Sequence, residues 1–543
     1  MANALFKVPT PHNEPILQYA PGSPERARLK EELDRQYNQT LDIPLIIGGK
    51  EIRTGKTLDV VCPHEHAHKL AHCHQAGEKE VKMAIETAME AKVLWESLPW
   101  EERAALSLKA ADLITHKYRY ILNAATMLNQ SKNPFQAEID SACEIADFLR
   151  YNPSFLEEIY SQQPLSSNGT WNRVEYRPLE GFIFAITPFN FTSIAGNLTT
   201  SPALMGNTVI WKPASTALLS GYYLMKLFQE AGFPDGVINF VPGSGSTLSG
   251  VLLKSPHLGG IHFTGSTKTF NSIWRTVAEN LDNNNSYPRL VGETGGKDFV
   301  FVHPSADPQE VAVALVRGSF EYQGQKCSAA SRVYLPGSLA STVFSAMEAM
   351  VADIKTRTGD PRDFHNFFNA VIDEKSFDAT MAYIDHASKS PDAEIVIGGK
   401  GDKSVGYFVE PTVIRAKTPD YLTMREEIFA PVLTAYIYPD GEYEKTLEIC
   451  DKTSPYGLTG SIIAKDRVAV HKAYEKLRHS AGNFYINDKP TGAVVGQQPF
   501  GGARQSGTND KAGSFLNLIR WTSPRTIKES FISPTDYGYP FMK

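Results

Sequence analysis

The fold is decided by two runs of sequence, RLVGETGGKDFV at residues 289–300 and FEYQGQKCSAASR at residues 320–332. Glu293 ends a short apolar run and is followed by glycines, which predicts a carboxylate at a strand end with space beside it. Cys327 follows a helical apolar pattern and then a glycine, Gly324, that breaks the pattern. The sequence therefore predicts an accessible thiol at a helix-to-loop junction.

The composition describes an ordinary globular protein. The chain has 543 residues, 42% of them apolar and 21% charged, with a net charge of -6. This length allows several packed layers and two or three domains. The charge gives no reason to expect nucleic acid or an anionic membrane as a partner, so we expect a small-molecule substrate.

The cysteines and the apolar runs indicate the compartment. Five scattered cysteines suit a reducing environment better than a disulfide framework. No apolar run approaches the roughly 20 residues that a membrane-spanning helix needs. Met1–Thr10 lacks the apolar core of a signal peptide, and no Arg-rich transit segment is visible.

The region 182–291 alternates apolar strand patterns with helical patterns. Such alternation predicts an α/β fold with a parallel, doubly wound sheet and a ligand at the carboxyl ends of its strands. A second set of strands and helices after Cys327 predicts a second α/β lobe. Upstream, 78–98, 100–129 and 134–160 each read as one helix, which together would form a helical layer.

Four motifs follow one another in a fixed order. They are Thr187–Phe191, the Glu-x-Gly-Gly-Lys of Glu293–Lys297, the Gly-Gln-x-Cys that places Cys327 34 residues after Glu293, and Glu426–Phe429. Together they resemble the aldehyde dehydrogenase superfamily over nearly the whole chain. Phe189–Thr192 and the residues around Cys327 resemble the branch that oxidises glutamate γ-semialdehyde, an enzyme of the mitochondrial matrix.

The resemblance implies a domain plan. A Rossmann-type NAD-binding domain, with an N-terminal arm and the helical layer, would comprise residues 1–159 and 180–293. An α/β catalytic domain would span residues 294–510. Residues 160–179 and 511–543 would form a sheet that bridges subunits, so we expect a homodimer or a higher homo-oligomer.

The resemblance also assigns catalytic roles. Cys327 would be the nucleophile, made a thiolate by a positive environment such as the nicotinamide ring of the cofactor. Asn190 would donate to the oxyanion, and Glu293 would activate water. The residues alone leave three alternatives: a cysteine thioesterase, a non-catalytic NAD-binding protein and an aldehyde dehydrogenase of broad specificity.

NAD is the expected cofactor. Lys212 follows a strand and could reach the adenosine ribose, whereas Ser215 stands where many NAD-specific members have glutamate. Gly243 and Gly245 are a weak fingerprint, because the next glycine, Gly250, comes too late for G-x-G-x-x-G. The other cofactor positions implied by the resemblance are Ile186, Thr187, Pro188, Phe189, Phe263, Thr264, Gly265, Ser266, Glu427 and Phe429.

Substrate contacts are expected from an anchor loop and from a helix. The loop 487–502 is rich in glycine, and its amides could form a nest for a carboxylate, although glycines also mark plain turns. Asp140, Glu144 and Asp147 would share one helix face, which composition alone predicts to be solvated. The resemblance implies substrate contacts by Glu144, Phe191, Ser328, Gly492, Ala493 and Phe500.

A histidine-rich segment, 64–74, could suggest a metal site. Its spacing fits no standard zinc pattern, and alternation along a strand would put His64, His66 and His68 on one solvated face. We therefore predict no metal.

Overall fold

The structure is a computed structural model that describes residues 4–543; residues 1–3 of the predicted arm lie outside the described range. Its strands, in chain order, are β1 Leu41–Ile43, β2 Leu45–Ile47, β3 Lys50–Ile52, β4 Thr57–Cys62, β5 Glu65–His74, β6 Thr170–Pro178, β7 Phe182–Ile186, β8 Thr208–Lys212, β9 Ile238–Phe240, β10 Leu258–Thr264, β11 Arg289–Glu293, β12 Asp298–Val302, β13 Ala330–Pro336, β14 Ala393–Ile397, β15 Gly401–Asp402, β16 Phe408–Val409, β17 Thr412–Ala416, β18 Val432–Tyr438, β19 Tyr456–Gly457, β20 Thr459–Ile463, β21 Asn483–Ile486, β22 Ala503–Arg504 and β23 Thr522–Ser530.

The α-helices, in the same order, are α1 Pro24–Tyr37, α2 Glu78–Ser97, α3 Trp100–Leu113, α4 Arg119–Gln130, α5 Pro134–Ala137, α6 Ile145–Ser161, α7 Thr192–Leu204, α8 Leu218–Ala231, α9 Gly245–Leu252, α10 Thr267–Glu279, α11 Pro308–Phe320, α12 Gly337–Thr356, α13 Glu374–Lys389, α14 Leu422–Arg425, α15 Tyr443–Thr453, α16 Arg467–Lys476 and α17 Phe515–Leu518. Two π-helical segments, Ile114–Tyr118 and Glu138–Glu144, interrupt the helical layer, and short 3-10 turns span Leu281–Asn283, Glu321–Gly324, Asp440–Glu442, Ile519–Trp521 and Pro540–Met542.

The first large sheet has seven strands in the order β11-β10-β7-β8-β9-β2-β3. The five strands from β11 to β9 are parallel, and β2 and β3 form an antiparallel edge. The central strands are continuous apolar runs because helices cover both faces, and residues 258–264 are all buried. The predicted α/β class and parallel sheet are confirmed.

The second large sheet also has seven strands, in the order β14-β17-β18-β13-β12-β20-β21. Six are parallel and β14 is an antiparallel edge strand. Its faces are covered by separate apolar clusters, one around Phe301 and one around Val333. The first sheet uses strands within residues 45–293 and the second strands within 298–486.

The helical layer differs from the sequence prediction in two places. The helix predicted over 100–129 is divided by the π segment Ile114–Tyr118, and the helix predicted over 134–160 contains the π segment Glu138–Glu144. In a π segment the backbone hydrogen bonds join residues five positions apart, so the directions of the side chains around it change. Such segments often occur at functional sites. Hydrophobic periodicity does not reveal this change.

Two smaller sheets carry the remaining predictions. Thr170–Pro178 and Thr522–Ser530, which lie in the two segments predicted to form a sheet, pair antiparallel, and Ile519–Trp521 before the second strand is a 3-10 turn. In the sheet β1-β5-β4, His68 bonds to the Tyr37 carbonyl and His72 to Asp59. His64 is buried and precedes the strand, so the prediction that it shares a solvated face was wrong.

Candidate active site

The backbone before Cys327 is held in an unusual conformation. Tyr322, Gln323 and Gly324 have φ of 51°, 54° and 66°, the left-handed region that side chains disfavour. Gln323 is buried and its amide donates to the carbonyls of Ser131 and Ala370 (3.0 and 2.8 Å). A Cβ at Gly324 would lie 2.3 Å from the Ala430 carbonyl oxygen, so the turn needs a glycine there. These contacts place the thiol in the loop after α11, as predicted.

Glu293 is the last residue of β11, as predicted. Hydrogen bonds hold the residues on either side of it. Thr294 N–H donates to the Ser506 carbonyl (3.0 Å), and Gly292 N–H donates to the Thr508 hydroxyl (2.9 Å). Burial raises the pKa of Glu293 to about 8; Lys511 opposes this shift and Asp510 adds to it. A carboxyl group that titrates near neutral pH is suited to general base catalysis.

The protein itself does not favour the thiolate. Burial raises the pKa of Cys327 well above its usual value, and the carboxyl groups of Glu293, Asp298 and Glu427 raise it further. Side chains therefore do not provide the positive environment that was expected around this thiol. A bound cation would have to supply that environment, and the nicotinamide ring of the cofactor is predicted to do so.

Asn190 is buried at the loop that joins β7 to α7. One of its N–H groups donates to the carbonyl of Gln325 (3.1 Å), two residues before Cys327. A primary amide carries a second N–H, so Asn190 can hold the loop and also donate to an oxyanion.

A cavity of about 420 Å³ opens beside Cys327. Its lining includes both Cys327 and Glu293. It also includes every predicted substrate residue: Glu144, Phe191, Ser328, Gly492, Ala493 and Phe500. Residues predicted from segments far apart in the chain thus share one cavity, as an active site requires.

The anchor loop is tied to the nucleophile loop at one end. The hydroxyls of Ser328 and Thr491 hydrogen-bond at 2.7 Å. Gly492 has φ of 101°, a conformation that favours glycine, and both Gly492 and Ala493 line the cavity. Lys489 lines the same cavity and donates to the Thr491 carbonyl (3.4 Å), which adds positive charge near the loop.

The acidic helix face is buried, so the prediction of a solvated face was wrong. Asp140 pairs with Lys132 (2.7 Å) and accepts from the N–H groups of Thr192 and Ser193 (3.0 and 2.8 Å) at the start of α7. Glu144 accepts from the Ser193 hydroxyl (2.6 Å), and burial raises its pKa to about 8.

The predicted adenosine side of the cofactor site lies at the carboxyl ends of β8, β9 and β10. Lys212 ends β8; its ammonium donates to the Pro213 carbonyl (3.1 Å) and burial lowers its pKa. Ser215 is exposed three residues later. Gly243 packs so closely against Leu248 that a Cβ would lie 2.7 Å from its Cδ1, and Gly245 begins α9.

The predicted pyrophosphate side lies at the start of α10. Ser266 caps this helix by accepting from the Thr269 N–H, and Gly265 N–H bonds to the Glu293 carbonyl (3.1 Å). The hydroxyl of Thr264 is buried without a hydrogen-bond partner. Phe263 stacks on Phe270 at 5.3 Å.

The predicted nicotinamide side joins the two large sheets. Glu427 accepts from the Gly296 N–H (2.8 Å), and burial raises its pKa to about 7. Phe429 meets Phe189 edge to face with ring centroids 5.8 Å apart. A cleft of about 860 Å³ extends from Glu427 to Ser266, between the two sets of predicted cofactor residues.

The other positions on this side lie at the end of β7 and just after it. Ile186 is its last residue, and the Thr187 hydroxyl accepts from the Trp211 indole (2.9 Å). Pro188 continues the loop towards Asn190.

Some residues of the site had no role in the sequence analysis. Asn13, Glu14 and Ile16 of the arm line the cavity, although the arm was predicted only as part of the NAD-binding domain. Lys297 is buried, and burial lowers its pKa to about 7. Only its place in the Glu-x-Gly-Gly-Lys motif could have drawn attention to it. No signal in the sequence marks the arm residues.

Comparison with known proteins identifies the family. The model of the aldehyde dehydrogenase family matches residues 51–527. The chain belongs to the aldehyde dehydrogenase family. It is 54% identical to the mitochondrial delta-1-pyrroline-5-carboxylate dehydrogenase of Dictyostelium discoideum, over 99% of this chain and 97% of that protein. The human mitochondrial delta-1-pyrroline-5-carboxylate dehydrogenase is 47% identical, with 98% and 94% covered.

A solved structure gives the same family fold. The delta-pyrroline-5-carboxylate dehydrogenase from Mycobacterium tuberculosis, crystallised with NAD bound, superposes with a TM-score of 0.96 at 51% identity, and both chains are fully covered. The aldehyde dehydrogenase fold predicted from the sequence is therefore confirmed.

Across residues 4–543, no group of three or more His, Cys, Asp or Glu side chains could hold a metal ion. Within the same range, no helix has both the length and the apolar character needed to cross a bilayer.

Proposed function

We propose that this chain catalyses the NAD-dependent oxidation of L-glutamate γ-semialdehyde, which is in equilibrium with delta-1-pyrroline-5-carboxylate, to L-glutamate. This reaction is the second step of proline catabolism. The observation that carries the proposal is the cavity beside Cys327, which holds a nucleophile, a carboxyl base and groups suited to both charged ends of this substrate. The named relatives support the same reaction.

The first step forms a bond between Cys327 Sγ and the aldehyde carbon. An aldehyde hydrogen leaves as hydride only when its carbon is tetrahedral and bears an oxyanion, and the thiolate supplies the fourth bond. The side-chain amide of Asn190 and the backbone N–H of Cys327 would stabilise the developing charge. Removing one such donor costs about 10²–10³ in kcat in a comparable oxyanion site.

The residues of the cofactor side fit NAD. The N-terminus of α10 offers the positive end of the helix dipole to a pyrophosphate, and the buried Thr264 hydroxyl lacks a partner within the described residues. Lys212, Ser215, Gly243 and Gly245 would hold the adenosine end, whereas Glu427 and Phe429 would hold the nicotinamide end. When bound, NAD supplies the hydride acceptor.

Glu293 would complete the reaction. Loss of hydride leaves a thioester on Cys327, and water attacks its carbonyl carbon once Glu293 has taken a proton from that water. The thiolate then leaves and glutamate is released. The carboxyl group lines the same cavity as Cys327, so a water molecule between them can reach the thioester.

The cavity would recognise both charged groups of the substrate. The N–H groups of Gly492 and Ala493, with the Ser328 hydroxyl, would bind the carboxylate, and Phe191 and Phe500 would contact the aliphatic chain. Glu144 would pair with the ammonium group. In the free enzyme the pKa of Glu144 is about 8. The substrate's ammonium group must therefore favour the charged form of the Glu144 carboxyl group, as a nearby cation does.

The test is a substrate comparison followed by NADH absorbance. The proposal predicts a kcat/KM for glutamate semialdehyde at least about 10³-fold above that for pentanal, because pentanal leaves the charged groups of the site unpaired. Equal values would instead indicate an aldehyde dehydrogenase of broad specificity. Hydrolysis of a thioester substrate with no NADH formed from either aldehyde would indicate a thioesterase.

We also propose the domain plan and the assembly. A boundary at 293/294 falls between the strands of the two large sheets. Trp171 in β6 and Phe531 directly after β23 are exposed (51% and 64%), as a subunit contact would require. We expect a homodimer or higher homo-oligomer, and sedimentation of a monomer at micromolar concentration would contradict this. Several relatives are named mitochondrial, so we place the enzyme in the mitochondrial matrix.

A further inference from the structure

The N-terminal arm forms part of the wall of the substrate cavity. Asn13 and Glu14 are half-buried there, next to the exposed Ile16. Glu14 is fixed by two cations, because its carboxylate accepts from Arg119 (2.7 Å) and Arg150 (2.8 Å). Asn13 and Glu14 therefore hold a defined position at the cavity although they belong to neither large sheet.

Asn13 connects the arm to two walls of the cavity. Its amide nitrogen donates to Asp147 Oδ2 (2.8 Å) in α6 and to the carbonyl of Val495 (2.9 Å) in the anchor loop. Its amide oxygen accepts from Gln497 Nε2 (2.9 Å) in the same loop. One side chain thus uses both ends of its amide to hold the anchor loop against the helix.

Asp147 makes this connection firm. The carboxyl group is buried and also accepts from the Glu14 N–H (2.7 Å). Burial raises its pKa to about 6, while the donors Asn13 and Glu14 oppose the shift. A hydrogen bond to a buried charged group is stronger than one between neutral groups, and Asn13 supplies one of the two such bonds that Asp147 accepts here.

The loop held in this way is the one that presents the anion-binding amides. Val495 is two residues after Ala493, and at Gly496 a Cβ would lie 2.2 Å from the ring of Tyr151 in α6. The other end of the loop is tied by the Thr491–Ser328 hydrogen bond. The amides of Gly492 and Ala493 therefore lie between two fixed points, one of which depends on Asn13.

We propose that Asn13 is a positioning residue that sets the affinity for the substrate's carboxylate by fixing the anchor loop against α6. This inference rests on the proposed function. It makes the N-terminal arm a determinant of specificity for aldehydes that carry a carboxylate. The chemistry at Cys327 does not depend on this contact, so the effect should fall on KM rather than on kcat.

The experiment compares two aldehydes in four proteins: wild type, Asn13→Ala, Gln497→Ala and Glu157→Ala. Asn13→Ala removes the hydrogen bonds to Asp147, Val495 and Gln497 that hold the loop, and we expect the KM for glutamate semialdehyde to rise about tenfold. We expect its kcat, and the KM for pentanal, to stay within about twofold. Gln497→Ala removes one donor from the loop side and should shift the same KM in the same direction by a smaller factor.

Glu157→Ala is the matched control. Glu157 accepts from the Val8 N–H (2.7 Å) and so also holds the arm, but it makes no contact with the anchor loop. All its constants should equal those of the wild type. Gln497 is exposed, so its variant supplies the test even if Asn13→Ala does not fold.

The outcomes are distinct. A selective rise in the semialdehyde KM in Asn13→Ala and Gln497→Ala supports the inference. An unchanged KM, or an equal rise for both aldehydes, overturns it while leaving the proposed function intact. A wild-type enzyme with no preference between the two aldehydes overturns the proposed function and, with it, this inference.

Discussion

Hydrolysis of the thioester should be the step that depends most directly on pH. Burial raises the pKa of Glu293 from its ordinary value to about 8. A carboxyl base whose pKa is raised is mostly protonated below the raised value and mostly ionised above it. Its activity is therefore complete at high pH and is lost as the pH falls through about 8.

The magnitude follows from this pKa. With a value of about 8, about a tenth of the enzyme carries an ionised Glu293 at pH 7 and about nine tenths at pH 9. Where hydrolysis limits turnover, kcat should rise about tenfold between these two pH values. The two charged residues that act on Glu293, Lys511 and Asp510, test the direction of the pKa shift. Lys511→Gln removes a cation and should move the profile to higher pH, whereas Asp510→Asn removes an anion and should move it to lower pH.

At position 511, glutamine is a better replacement than an apolar residue for this test. The Lys511 ammonium donates to the carbonyls of Gly482 (2.7 Å) and Gly501 (3.2 Å), and a glutamine amide keeps a donor while removing the charge. Thermal unfolding of both variants would check that the loops are retained.

Stopped-flow absorbance of NADH gives both steps in one trace between about pH 6 and pH 10. The burst reports attack by Cys327 and hydride loss, and the steady phase reports hydrolysis. Glu293→Gln should keep the burst and slow the steady phase by about 10²–10⁴, with no remaining inflection near pH 8. A flat wild-type profile, shifts of the same sign in the two neighbour variants, or loss of the burst in Glu293→Gln would refute this reasoning.

Three further changes test other parts of the site and fold. Cys327→Ala should form no NADH yet bind NAD with unchanged affinity in calorimetry, and any turnover would contradict its role as nucleophile. Lys212→Met should weaken NAD about tenfold through loss of a charged contact, which a smaller thermal stabilisation by NAD would report; equal stabilisation would count against the assignment. Asp140→Ala should leave Lys132 buried without its partner, a cost of about 3–5 kcal/mol, and lower the thermal midpoint; a wild-type midpoint would mean the pair contributes little.

The large sheets could be predicted from sequence because their signal is local. The strand Phe182–Ile186 begins the region predicted to alternate strands and helices, and the strand Val432–Tyr438 lies in the predicted second lobe. Both are apolar runs buried between layers of helices, so each residue reports its environment directly. The positions of Glu293 and Cys327 in the fold were also predictable, since a strand end before glycines and a broken helix are local features.

The acidic face shows where local reasoning fails. Asp140, Glu144 and Asp147 have the spacing of a solvated helix face, yet Asp140 and Asp147 are buried and Glu144 faces the cavity. Partners outside this helix make the burial possible. Lys132 pairs with Asp140, and Asn13 of the arm donates to Asp147. The π segment Glu138–Glu144 then sets their directions, and its sequence does not distinguish it from an α-helix.

The arm is the extreme case of the same difficulty. Asn13 bonds to partners 134 and 482 positions away, so neither a motif nor a periodicity could have placed it in the site. The cofactor side depends on a comparable long-range fit, because Glu427 from the second sheet region bonds to Gly296 beside the first. A Cβ at Gly295 would lie 2.5 Å from Glu427 Oε2, so the glycines of the Glu-x-Gly-Gly-Lys motif allow that close approach. The glycines of this motif therefore have a physical role beside that proposed for its glutamate, because they let the two lobes meet at Glu427.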